Sequence, residues 1–88
     1  MKRKELFDKI GTDNIFPMLP LVEIAGDQRV LIERHRGVMG YGKQRICVKL
    51  SFGTLLVNGC NLEIIHMTKV QLVISGRISE IVFKRGND

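Results

Sequence analysis

Tryptophan is absent from this chain of 88 residues, tyrosine occurs once and phenylalanine four times. A nucleic-acid platform of stacked aromatic rings therefore has few side chains to draw on. Cysteine occurs only as Cys47 and Cys60, too far apart for a Cys-x-x-Cys motif and too few for a disulfide scaffold, which predicts free thiols in a reducing compartment. No apolar run approaches the roughly 18 residues of a spanning helix, since the longest mostly apolar stretch, 15 to 22, contains Pro17 and Pro20. Glu5, Asp8 and Lys9 interrupt what would be the apolar core of an export signal. Constellations for chemistry are also missing. His35 and His66 lie far apart, neither cysteine has a neighbouring ligand or an adjacent base, and the acidic residues are scattered. No Gly-rich loop precedes a helix. We expect no catalytic residue, no metal and no cofactor.

What is present suffices for folding. Apolar residues make up 44% and charged residues 26%, the composition of one small globular domain. A domain this short buries only about 60 to 65% of the surface its unfolded chain exposes, so self-association is the expected supplement to its core.

Residues 2 to 10 place Leu6, Phe7 and Ile10 on one side, with Gly11 as a stop, which predicts a short N-terminal α-helix within a unit 1–14. Pro17 and Pro20 hold the next segment extended as a linker. The remainder, 15–88, reads as a single antiparallel β domain, a sandwich or meander of about seven or eight short strands. Val22 and Ile24 stop at Gly26-Asp27, and Val30 and Ile32 stop near Gly37. In Arg45-Ile46-Cys47-Val48-Lys49-Leu50 the apolar positions face a core and Cys47 faces away. Asn58-Gly59 and Ser75-Gly76 read as turns. Leu55-x-Val57-x-Gly59 recurs as Leu72-x-Ile74-x-Gly76, an echo that hairpins of common turn chemistry would produce.

Strands with one wet face should alternate, yet Leu55-Leu56-Val57, Ile64-Ile65, Leu72-Val73-Ile74 and Ile81-Val82-Phe83 place apolar groups on both faces. Leu56, Ile65, Val73 and Val82 are therefore expected to form a subunit or partner interface. The alternative is a closed small barrel or sandwich that buries both faces internally. Positive charge gathers where Arg29, Arg34, Arg36, Lys43, Arg45 and Lys49 stand against Glu33 alone. A solvated cationic face is the simplest reading of Arg29, Arg34, Arg36, Arg45 and Lys49; an anionic membrane surface or phosphates would also attract it.

The run Val30-Leu31-Ile32-Glu33-Arg34-His35-Arg36-Gly37-Val38, then Ile46-Cys47-Val48, Gly53-Thr54-Leu55-Leu56-Val57-Asn58-Gly59, Leu62-Glu63-Ile64, Ile74-Ser75-Gly76-Arg77-Ile78 and Ile81-Val82-Phe83, resembles the YabP/YqfC family of sporulation proteins, its YqfC branch best. The residues that carry the likeness include Glu33, His35, Arg36, Gly37, Gly53, Gly59 and Gly76. The branch's I-E-N-H-[KR]-G pattern has Asn where this chain has Arg34. Glycine at 53 and 59 is expected for turn geometry.

The resemblance implies a non-enzymatic protein of the mother-cell cytoplasm during endospore formation. It also implies a larger membrane-associated sporulation partner and a location near the forespore outer membrane. Two function classes follow: an assembly or adaptor module, with peripheral contact to an anionic membrane, or a small-barrel Sm-like RNA binder. The scarcity of aromatics and of Sm motifs disfavours nucleic acid.

Overall fold

Residues that alternate apolar and polar send alternate side chains to opposite faces of a strand. The computed structural model, which describes residues 19–86, builds six strands on this pattern. They are β1 (Leu21–Ala25), β2 (Arg29–Glu33), β3 (Val38–Tyr41), β4 (Arg45–Leu50), β5 (Gly53–Met67) and β6 (Gln71–Arg85). All pair antiparallel in one sheet of order β1-β2-β6-β5-β4-β3. No helix occurs among the described residues, and the helix expected over residues 2 to 10 lies outside them.

The expectation of seven or eight short strands is corrected to six, because β5 and β6 each run for 15 residues. Asn58-Gly59 and Ser75-Gly76 lie inside these strands and not at turns between them. Both glycines are needed because two backbones meet there. A side chain at Gly59 would collide with the carbonyl oxygen of Arg77, and a Cβ at Gly76, which has φ 143°, would stand 2.7 Å from the Asn61 carbonyl oxygen. The β5–β6 register shifts between Asn58 and Gly59 and between Cys60 and Glu63, and such bulges bend the strands. Residues 38 to 41, where the sequence shows no apolar alternation, form β3, with its own bulge between Val38 and Gly40.

The bends divide the sheet into two halves. In one, β4 pairs with the first part of β5 (Ile46↔Val57, Val48↔Leu55), which pairs with the last part of β6 (Val57↔Ile81). In the other, β2 pairs with the first part of β6 (Val30↔Ile74, Ile32↔Leu72), which pairs with the last part of β5 (Ile64↔Ile74). Val30, Ile32, Leu62, Leu72 and Ile74 join Ile46, Val48, Leu50, Leu55 and Val57 in one cluster, none more than 2% exposed. A single open face cannot hide its side chains this completely, so the bent halves close their inner faces on each other. Tyr41 of the β3–β4 half also reaches across, its hydroxyl oxygen accepting from the Ile64 amide at 3.3 Å.

The halves are alike in sequence. Gly26-x-Gln28-Arg29-Val30-x-Ile32 in the β1–β2 hairpin matches Gly42-x-Gln44-Arg45-Ile46-x-Val48 in the β3–β4 hairpin. Leu55-x-Val57-x-Gly59-x-x-x-Glu63-Ile64-Ile65 matches Leu72-x-Ile74-x-Gly76-x-x-x-Glu80-Ile81-Val82. Their hydrogen bonds agree: the Gly59 amide donates to the Gln44 carbonyl at 3.0 Å, and the Gly76 amide to the Gln28 carbonyl at 3.2 Å. The echo thus marks an approximate two-fold relation in which β5 and β6 exchange roles.

Candidate functional site

The segment between β2 and β3 must carry the chain from one half to the other, and it holds three of the residues that bear the family likeness, His35, Arg36 and Gly37. Its entry is tied to the β5–β6 turn, where the Arg34 amide donates to the Val70 carbonyl at 2.6 Å. Its exit is tied to β4, where the Arg36 amide donates to the Lys49 carbonyl at 2.7 Å. Between them His35 is buried, 6% exposed. Its Nδ1 accepts from the Gly37 amide at 2.9 Å, so its proton sits on Nε2, which donates to the Thr68 carbonyl at 3.0 Å. Both ring nitrogens are thereby engaged in holding the crossover. Glu33 accepts from Gln71 Nε2 at 3.0 Å. Arg34 has φ 64°, a left-handed conformation that asparagine adopts more readily than arginine, and its Nη1 donates to the Leu19 carbonyl at 3.4 Å. Arg36 is exposed.

The remaining basic residues divide between the two outer faces. Arg29 sits beside Ser75 on the β1–β2 half. Arg45 and Lys49 sit on the β3–β4 half, where Arg45 Nε donates to Asn58 Oδ1 at 2.8 Å and Asn58 Nδ2 donates to Glu80 Oε1 at 3.0 Å. Use of the Asn58 side chain in this cross-strand ladder is a role that its Asn-Gly context did not signal.

The four apolar interface candidates are likewise divided. Leu56 and Val82 are direct partners, with Cys47 next to Leu56, on the outer face of the β3–β4 half. Val73 is beside Leu31 on the outer face of the other half. Ile65 lies in the β5 register shift and is 49% exposed. Leu56, Val73 and Val82 are part-buried. Because the inner faces meet, these two outer faces point away from each other. Gly53, after the two-residue β4–β5 turn, pairs with Arg85, and a Cβ there would strike the carbonyl oxygen of Lys84; Gly53 and Gly59 thus serve close backbone approach. Phe83 is 54% exposed, because the last part of β6 has a strand on one side only; its ring lies 6.1 Å from that of Phe52.

Cys47 is part-buried, Cys60 is exposed and both are free. Among the described residues no three His, Cys, Asp or Glu side chains gather as metal ligands, and no helix is long and apolar enough to cross a membrane. The arrangement offers surfaces for contact, each an apolar rung flanked by charge.

Comparison with curated proteins and with solved structures finds no match. The model of the YabP family matches residues 20–88, which takes in all six strands, the crossover and both outer faces. The chain therefore belongs to the YabP family, and that membership makes it a sporulation protein.

Proposed function

We propose that this protein is a non-enzymatic assembly module of the YqfC branch. In this reading it works in the mother-cell cytoplasm, joining copies of itself to a larger membrane-associated sporulation protein beside the forespore outer membrane. The observation that carries the reading is the pair of outer faces. Each presents apolar residues at the centre of a strand array, Leu56–Val82 on one and Leu31–Val73 on the other, between charged rows. Apolar groups so framed are the anatomy of a contact surface, with a desolvated centre and a polar rim. The exposed Arg36, Arg45 and Lys49 suit an acidic protein or an anionic membrane.

The test is recovery of tagged protein from sporulating cells, comparing wild type with Leu56→Glu and Val82→Glu after circular dichroism has verified that both variants fold. Wild type should retain a larger membrane protein in fixed proportion, and both variants should lose it. Equal retention by the variants would contradict the reading. So would sub-micromolar, sequence-selective RNA binding that weakens steeply between about 50 and 200 mM salt, the behaviour of an RNA-binding barrel.

A further inference from the structure

The two outer faces share a layout but not a charge. On the β3–β4 half, cross-strand rungs read Arg45–Asn58–Glu80, then Cys47–Leu56–Val82, then Lys49–Thr54–Lys84. Three cations stand there against the single carboxylate of Glu80. On the β1–β2 half the corresponding rungs read Arg29–Ser75–Glu63, then Glu23–Leu31–Val73–His66, then Leu21–Glu33–Gln71. Within these rungs three carboxylates stand against the single cation of Arg29, and Arg34 follows Glu33 at the end of the last of them. The approximate two-fold relation makes the two rung patterns match, apolar centre on apolar centre, while the sign of the surrounding charge reverses.

From this complementarity we infer that the occupant of each face is a second copy of this chain, the basic β3–β4 face of one copy seated on the acidic β1–β2 face of the next. Like faces would oppose charges of one sign, which disfavours an isologous dimer. Since the faces point in opposite directions, the contact is head-to-tail and each copy keeps one face free, so copies extend into a row or close into a ring. Three rungs across four strands span about 350 Å² on each copy. That is well below the roughly 800 Å² per partner of a standard interface, so a single contact is weak and the assembly grows with protein concentration and weakens with salt.

This inference rests on the assembly reading and names its self-contact. The experiment uses two full-length charge-reversed variants, Lys49→Glu with Lys84→Glu and Glu23→Lys with Glu63→Lys, all at exposed positions. Sedimentation velocity is recorded at about 100 µM protein in about 50 mM salt, where screening is slight. Wild type should sediment as concentration-dependent species larger than the 10.0 kDa chain. Each variant alone should associate at least about a hundredfold more weakly. Mixing the two should restore association, because every contact in the mixture again pairs a basic face with an acidic one. Variants that assemble like wild type would overturn the face-to-face assignment while leaving the assembly module standing. The same conclusion would follow if the mixture stayed monomeric while wild type assembled. Wild type that remains a single chain at this concentration would overturn the self-contact itself, with recovery of the membrane partner still deciding the broader reading.

Discussion

At the level of single residues, the crossover between the halves concentrates the structural cost of this fold. His35 satisfies the Gly37 amide and the Thr68 carbonyl with one ring while almost fully buried. Truncation to alanine leaves both groups unpaired and opens a void, so His35→Ala should lose about 3 kcal/mol, measured by urea denaturation. Arg34 is held as well as strained: its φ is 64°, and its Nη1 donates to the Leu19 carbonyl at 3.4 Å. A sequence reading could name His35 and Arg34 as members of a motif. It could not assign their work, because the partners Thr68 and Val70 lie far along the chain and the left-handed turn leaves no signature in an arginine.

Among the elements, β4 was fully legible. Ile46, Val48 and Leu50 are buried and Cys47 faces outward, because strict alternation on a half-buried strand reports its own orientation. The long strands were not legible, because glycine after Asn58 or Ser75 looks like a turn whatever its cause. The tertiary cause, contact between the β5 and β6 backbones at the bends, distinguishes the two. If Asn58-Gly59 were a hairpin turn, Gly59→Ala would cost about 1 kcal/mol. With the Arg77 carbonyl in the way of Gly59 and the Asn61 carbonyl in the way of Gly76, Gly59→Ala and Gly76→Ala should each cost about 3 kcal/mol or prevent folding, read as the thermal midpoint or the loss of soluble protein. By contrast, Asn58→Ala breaks an exposed ladder and should cost about 1 kcal/mol or less by the same assay.

For the molecule as a whole, the excess of apolar residues in the last two strands resolves into two sets. Leu55, Val57, Leu72 and Ile74 close the core, while Leu56, Val73 and Val82 stay part-buried on faces that point apart. The composition of residues 54 to 83 revealed that both faces are apolar. It could not reveal that folding the sheet on itself would divide the outer set between two surfaces, nor that the basic residues would be divided with them. Those surfaces exist only because the halves share one interior, so the shared interior is the claim on which the functional reading depends.

Native-state hydrogen exchange tests that claim most directly. Core amides on either side, Val30, Ile32, Leu72 and Ile74 in one half and Ile46, Val48, Leu55 and Val57 in the other, should open only through global unfolding, with one common free energy and one common denaturant slope. Two separate free energies, with either half exchanging well before the other, would show that each half stands by itself and would contradict a sheet closed on a single core.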